Sequence, residues 1–393
     1  MLGGLNWILD SLYWDSTFVG DFRPSADLEY RARQSIDGAQ SWLQILLALA
    51  GYLDGFHDSH TVFLPPPLTV TMRFGWSWRN IGGQTYITAV ESKARDAGFA
   101  PGDRLVEVDR VPASPANMAA IWYAYQLLVP RRSVHVVVER PDGSRHAADI
   151  EASLGRRAAR MDYGDVDNVR AILDQLANKL RAHHTWQDRD SVALWHFDVF
   201  GIRDHGLDSH AREANRYPWL ILDLRGNAGG AIESLTRLLS HFSDETFEAF
   251  EEHWRDSTTT RTITPDEHPY QGHLIILVDR GTSSAAEVFS YVLQNRGRAQ
   301  ILGDTTAGAV REAIESDLSD NAGNQFYSFG LLVTVADLRM ADGAELEGVG
   351  VVPDEVVLPS GADLAAGRDP VMQRALALAG IEVSGEEAAR ILH

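Results

Sequence analysis

The sequence predicts an α/β fold, and two observations support this prediction. In the second half of the chain, short apolar runs alternate with helical segments, a pattern typical of parallel strands joined by crossover helices. In addition, 45% of the 393 residues are hydrophobic, enough for a large core in a chain whose length suggests two or three domains. We predict five regions in chain order: an N-terminal helical region over 1–67, a β domain over 68–153, a helical connector over 154–189, an α/β core over 190–360 and closing helices over 361–393.

The first region reads as helical because its apolar residues recur at helical spacing. These residues are Leu5, Ile8, Leu9, Leu12, Leu43, Leu46, Leu47 and Ala50. The run Pro65-Pro66-Pro67 then marks a boundary, since consecutive prolines cannot continue a helix.

The second region changes to short strands around one helix. The predicted strands cover 68–74, 84–90, 104–108 and 134–139, and the predicted helix covers 116–128. The segment Ala97–Leu105, AGFAPGDRL, resembles the signature of PDZ domains. Such domains add a peptide as an extra strand. The loop expected to hold the peptide carboxylate, 74–83, departs from the usual short glycine loop, and its Trp76 and Trp78 are predicted either to contact a peptide or to pack in the core.

In the connector, an apolar stripe from Val169 to Leu180 predicts a helix. The pair His183-His184 follows it. Adjacent helical residues do not face one site, so we expect a solvated pair and no metal site.

The core region contains five predicted strands and two predicted helices. The strands cover 192–197, 219–224, 274–278, 299–302 and 330–335, and the helices cover 232–242 and 285–294. Two further helical segments, near 364–366 and 371–379, close the chain.

Ser284 lies where the run His273–Asp279 breaks at Arg280-Gly281 and a helical pattern begins. The free N–H groups and positive dipole of a helix start stabilise an attacking oxygen and the oxyanion it generates. Ser284 is therefore a candidate nucleophile. Taken alone, a serine at a helix start is more often a simple N-cap.

Four segments resemble peptidase family S41, which contains the carboxyl-terminal processing proteases and the tricorn core proteases. They are Leu222–Gly230, Gly281–Glu287, Gly303–Gly308 and Glu347–Asp354. The resemblance implies a core of the ClpP/crotonase type, built as a spiral of β-α repeats, and it selects Ser284 over the neighbouring Ser283 as the reactive residue.

Part of this family uses a lysine base immediately after the glycine of the third segment, where this chain has Ala309. The chain has only two lysines, Lys93 and Lys179, and both precede the nucleophile segment. Arg311 cannot act as the base, because a guanidinium stays protonated at any working pH. A Ser/Lys mechanism is therefore not expected.

The tricorn-like branch instead uses a Ser-His-Ser-Glu set. The resemblance implies His60 as general base, Ser59 as its hydroxyl partner and Glu347 as the distal carboxylate. An imidazole near its working pKa can take the proton of a serine when a partner fixes its tautomer. His57 is the alternative base and Glu345 the alternative carboxylate.

The resemblance also implies an oxyanion hole of backbone donors: the N–H of Ala285 and that of Gly229 or Gly230. Glycine suits a backbone that approaches a substrate closely and adopts positive φ. For Arg225 and Asn227 we predict a structural role in holding this turn.

Composition excludes several classes of protein. A formal net charge of -20 argues against nucleic-acid binding. The absence of cysteine excludes thiol catalysis and thiolate metal sites, and no motif calls for a cofactor or metal. No apolar run reaches the length of a membrane span, and the first residues lack a basic leader, so we expect a cytoplasmic protein, or an exported one whose leader has been removed.

These observations favour a serine endopeptidase that cleaves a peptide or unfolded protein through an acyl-enzyme. Two alternatives remain: a non-catalytic ligand- or peptide-binding protein of the same fold, and a hydrolase or acyltransferase acting on a small acyl substrate. The sequence leaves homo-oligomerisation open.

Overall fold

The computed structural model describes residues 2–19, 23–65, 70–156, 182–322 and 325–392. No helix in these ranges is long and apolar enough to cross a membrane.

Three helices form the N-terminal region, as predicted. They are α1 (Leu2–Leu12), α2 (Pro24–Asp37) and α3 (Trp42–Asp54). Ser41 caps α3, its hydroxyl accepting the N–H of Gln44. The region does not end as helix: β1 (Val62–Leu64) is a strand that pairs antiparallel with a later strand.

The region predicted to resemble a PDZ domain, called the PDZ-like region below, contains one sheet in the order β3-β4-β5-β7-β8, with β6 paired to β5. Its elements are β3 (Trp76–Ile81), β4 (Gln84–Val90), α4 (Ser92–Asp96), β5 (Arg104–Val108), β6 (Val111–Pro112), α5 (Pro115–Tyr123), β7 (Ser133–Glu139) and β8 (Arg145–Glu151). The predicted 74–83 loop is mostly strand β3, because its residues pair with β4 in a hairpin. The predicted 116–128 helix is α-helical up to Tyr123 and continues as a π-helical turn over Ala124–Leu128.

Two further strands, β2 (Val70–Arg73) and β9 (Ser153–Arg156), pair with each other outside this sheet. Two contacts place the PDZ-like region against the core: Gly82 N–H donates to Asp304 Oδ2 at 2.7 Å, and Arg79 lies 3.7 Å from Asp279.

The prediction of a helical connector over 154–189 is wrong at both ends, where the structure has strands. Residues 153–156 belong to β9, and β10 (His184–Arg189) pairs antiparallel with the first core strand. The predicted helical stripe from Val169 to Leu180 lies outside the described residues.

The core sheet has the order β10-β11-β12-β15-β16-β19, and every strand after β10 is parallel to its neighbour. Its strands are β11 (Val192–Phe197), β12 (Trp219–Asp223), β15 (His273–Val278), β16 (Ala299–Gly303) and β19 (Glu355–Val356). On one face lie α6 (His205–Ala214), α7 (Ile232–His241) and α8 (Ala285–Asn295). On the other lie α10 (Pro370–Leu378) and α11 (Gly385–Ala388), preceded by α9 (Gly361–Ala365).

A second sheet has the order β1-β18-β13-β14, with β17 also paired to β18. Its strands are β13 (Phe247–Trp254), β14 (Thr258–Ile263), β17 (Arg311–Ala322) and β18 (Gln325–Met340). The run 330–335, predicted as a strand of the parallel core, belongs instead to β18 and pairs antiparallel with β17 and β1. This sheet carries the N-terminal helices against the core, because Leu331, Val333 and Val335 pack with them.

Candidate active site

Ser284 lies at the junction between the turn after β15 and the start of α8. Its backbone has φ 56° and ψ -124°, a conformation that non-glycine residues rarely adopt. Such strain costs on the order of 1–3 kcal/mol and persists only where surrounding contacts enforce it. Here the Ser284 N–H donates to the carbonyl of Ala309 at 2.8 Å and to Glu287 Oε2 at 3.0 Å.

Glu287 is the buried residue that fixes this conformation. Its Oε2 also accepts the N–H of Ala309 at 2.9 Å. Its Oε1 accepts the N–H of Gly308 at 2.7 Å and the hydroxyl of Thr306 at 2.5 Å. Burial raises the pKa of Glu287, and these hydrogen bonds partly oppose that rise. One carboxylate therefore joins the turn that carries Ser284 to the segment 306–309.

The glycine-rich turn after β12 lies directly against Ser284. A Cβ on Gly229 would be 2.6 Å from Ser284 Cβ and 2.8 Å from the nitrogen of Ala285. The Gly229 N–H donates to Asn227 Oδ1 at 2.9 Å, and Asn227 in turn donates to the carbonyl of Phe197. The predicted structural role of Asn227 is confirmed.

Two backbone donors remain free at this point. Within the described residues, the N–H groups of Gly230 and Ala285 donate to no protein acceptor. The structure therefore separates the two glycine alternatives: the N–H of Gly229 is occupied and that of Gly230 is available. Two unpaired N–H groups beside a serine can bind a developing oxyanion.

Gly229→Ala should reduce activity by at least about 100-fold, because the added methyl group displaces Ser284 and the Ala285 donor. Gly226→Ala is the matched control. Gly226 also has positive φ, at 73°, but an added Cβ there meets no atom within 4 Å. Steady-state hydrolysis and the thermal midpoint should be measured for both variants. If both variants lose the same activity, backbone strain at positive φ explains the loss, and the steric effect on Ser284 does not.

His60 and Ser59 come from the loop between α3 and β1. The hydroxyl of Ser59 lies 2.6 Å from His60 Nδ1. Glu347 Oε1 accepts the N–H of Ser59 at 3.2 Å, so the carboxylate meets the backbone of Ser59 and not its hydroxyl. Burial lowers the pKa of His60, the negative charges of Glu347 and Asp58 raise it, and Arg311 lowers it.

Glu347 connects this loop to the segment that contacts Ser284. Glu347 Oε2 accepts the N–H of Val310 at 2.8 Å, and the preceding residue, Ala309, accepts the N–H of Ser284. Glu347 and the adjacent residues Ala309 and Val310 thus link the early loop to the start of α8. Among the described residues, no hydrogen bond joins Ser284 Oγ to His60, and His60 Nε2 has no protein partner.

The alternatives lie elsewhere. Glu345 is 63% exposed, and its carboxylate lies 3.7 Å from Arg339. His57 is exposed. Ser283 donates its N–H to the carbonyl of Asn227, within the turn.

An ion cluster that the sequence analysis missed supports the His60 loop. Asp58 accepts from Tyr13, Thr334 and the N–H of His60, and it lies 2.9 Å from Arg311. Arg311 is thus a partly buried counterion of Asp58, in agreement with its exclusion as a base. The only signal in the sequence was the adjacency of Asp58 to Ser59-His60.

No lysine contacts this site in the described residues. The segment after Gly308 carries Ala309, and Lys93 lies in the PDZ-like region, where it donates to the carbonyl of Ala152. Lys179 lies outside the described residues.

The prediction of a solvated histidine pair agrees with the structure for His183 and is wrong for His184. His183 is 77% exposed, but His184 is only 12% exposed, because it lies on β10 and bonds Asp204 at 2.8 Å. The indole N–H of Trp195 donates to its other ring nitrogen.

The two tryptophans of the PDZ-like region pack partly against its core. They also line an open cavity of about 280 Å³ between β3 and α5.

Residues 192–357 match the sequence profile of peptidase family S41. A chloroplastic C-terminal processing peptidase from Tetradesmus obliquus is 32% identical over 370 residues, covering 88% of this chain and 74% of the relative. The chain belongs to peptidase family S41. A carboxyl-terminal-processing protease from Synechocystis sp. is 29% identical over 212 residues, 52% of this chain, and the match spans about half (47%) of that relative.

This S41 chain also shares its fold with a crystal structure of mature CPAF, at a TM-score of 0.67 and 15% identity over 93% of each chain. The predicted α/β fold and the family resemblance are confirmed.

Proposed function

We propose that the protein is a serine endopeptidase that hydrolyses peptide bonds through an acyl-enzyme on Ser284. The observation that carries the proposal is the strained Ser284 backbone, held by Glu287 beside the free N–H groups of Ala285 and Gly230. Membership of the S41 family and the names of the relatives support peptides or unfolded proteins as the substrate class.

In the proposed reaction, Ser284 Oγ attacks the scissile carbonyl carbon while His60 Nε2 takes the hydroxyl proton. The carbonyl oxygen becomes an oxyanion and accepts hydrogen bonds from Ala285 and Gly230. His60 then gives its proton to the leaving amine, and water hydrolyses the ester by the same steps. Substrate binding must bring the His60 ring into hydrogen-bond distance of Ser284, since catalytic hydrogen bonds often tighten only in the substrate complex.

Ser59 and Glu347 position the base. For Nε2 to accept a proton, Nδ1 must carry the hydrogen and donate it to Ser59 Oγ, 2.6 Å away. Glu347 holds Ser59 by its N–H and stabilises the imidazolium that forms, because its negative charge favours the protonated ring.

Hydrolysis of an unstructured peptide panel tests this proposal, and its pH dependence tests the base. Burial lowers the pKa of His60 below its ordinary value of 6.5, and the ring must be neutral to act. We therefore expect kcat/KM to rise with pH, with a midpoint below 6.5. Glu347→Gln removes a charge that raises this pKa, so the midpoint should move to lower pH.

The matched control is Glu345→Gln, at an exposed carboxylate, which should leave the midpoint unchanged. A midpoint that rises in Glu347→Gln would contradict the assigned role, and failure to hydrolyse any peptide in the panel would contradict the function.

A further inference from the structure

A group of acidic side chains lies on the opposite face of the second sheet from Arg311. Glu312 on β17 pairs with Ala336, and Glu252 on β13 pairs with Leu338, on the two sides of β18. Because Ala336 and Leu338 are two residues apart, both glutamates point to the same face. Arg261 on β14 and Glu233 on α7 also interact electrostatically with Glu312 there.

The charges in this group do not balance. Three carboxylates surround one guanidinium, that of Arg261, whose Nε lies 2.8 Å from Glu252 Oε1. Glu252 is fully buried, yet its Oε2 has no hydrogen-bond partner, and neither does Oε2 of Glu312. Buried charged oxygens are normally paired. Burial raises the pKa of Glu312, as do the negative charges of Glu252 and Glu233, and Arg261 opposes them; together they raise this pKa to about 7.

The group lies close to the catalytic segments. Glu233 follows Gly230 by three residues, and Glu312 follows Ala309, the acceptor of the Ser284 N–H, also by three. Three residues span at most about 10 Å. A peptide bound across Ser284 covers this distance with about three residues.

We propose that Glu233 and Glu312, backed by the buried Glu252, form an acidic subsite for a cationic side chain of the peptide substrate. This proposal rests on the proposed function, because it assumes that a peptide substrate binds across Ser284. Arg261 shows the kind of group that the cluster accepts. A second guanidinium or ammonium group would partner the free oxygens and offset the excess of negative charge.

Such binding has a defined pH dependence. A cationic side chain favours ionised Glu312, which is the form present above its pKa of about 7. Affinity for a basic peptide should therefore strengthen as the pH rises from 6 to 8. A neutral peptide should show no such change.

The test uses the full chain with Ser284→Ala, so that binding is measured without turnover. Fluorescent peptides with a lysine at successive positions are compared by anisotropy with peptides carrying norleucine there, at 0.15 M salt. We expect at least about tenfold tighter binding of lysine at one position at pH 8. Adding Glu312→Gln should reduce the difference to about twofold, whereas adding Glu345→Gln should leave it intact and so controls for the net charge of -20.

Equal affinity of the paired peptides at every position, or a preference that survives Glu312→Gln, would overturn the proposal. The first result would leave Glu312 and Glu252 as a pair that shares a proton. Absence of all peptide binding would overturn it as well. Discriminating binding by Ser284→Ala, combined with no hydrolysis by the unmodified protein, would instead retain the subsite and refute the endopeptidase.

Discussion

Ser284→Ala should abolish peptide hydrolysis, lowering kcat/KM by about 10⁴- to 10⁶-fold. The substitution removes the only atom that the proposed acyl-enzyme forms through, while the backbone contacts of residue 284 with Ala309 and Glu287 can remain. A fluorophosphonate should label the unmodified protein at residue 284, as located by peptide mass spectrometry, and should not label the variant. Ser283→Ala is the matched control, at the adjacent serine of the same turn, and it should retain labelling.

His60→Ala should cause a loss of similar size, since the residues of a catalytic set act as a unit. The matched control is His57→Ala, at the exposed histidine three residues earlier, which should keep its activity. Labelling that persists in Ser284→Ala, or full turnover in His60→Ala, would show that another pair of groups performs the chemistry.

The position of Ser284 at a helix start could be predicted because strand, turn and helix start follow one another in about 15 residues. The sequence could not resolve Glu347 from Glu345, because a two-residue spacing puts both on one face if the segment is a strand. In the structure this segment is mainly turn, so the two carboxylates diverge. The choice between Gly229 and Gly230 depended on one contact, the side chain of Asn227, which no pattern encodes.

Errors in the fold prediction have a similar origin. The hairpin of β17 and β18 was missed because Arg311–Ala322 carries several charged residues without an apolar run. The run 330–335 was assigned to the wrong sheet because β18 also pairs with β1 and β13, which are distant in the sequence. His184 appeared to be solvated because a single sequence does not show Asp204 and Trp195 converging on it. Contacts outside the local sequence pattern therefore decided the environments of 330–335 and of His184.

Glu287→Leu should have the largest effect on stability among the site residues, about 3 to 6 kcal/mol. The leucine leaves the N–H groups of Gly308 and Ala309 and the hydroxyl of Thr306 buried without their acceptor, and each such loss costs about 1–3 kcal/mol. The variant also loses a negative charge at the start of α8, where the helix dipole favours one. The thermal midpoint should therefore fall, and labelling of Ser284 should slow because its strained backbone loses support.

Glu287→Gln separates two contributions of the Glu287 side chain to stability: its hydrogen bonds and its shape. The amide retains one acceptor oxygen, but its NH₂ group must face two donors, either Thr306 and Gly308 or Ser284 and Ala309. Its stability should fall between those of the leucine variant and the unmodified protein, with a loss of about 1–3 kcal/mol. Glu345→Leu, at an exposed carboxylate, should change stability by less than about 0.5 kcal/mol. If Glu287→Leu labels as fast as the unmodified protein, the strain at Ser284 is enforced by the Ala309 carbonyl and the turn alone, and Glu287 serves only the packing of α8.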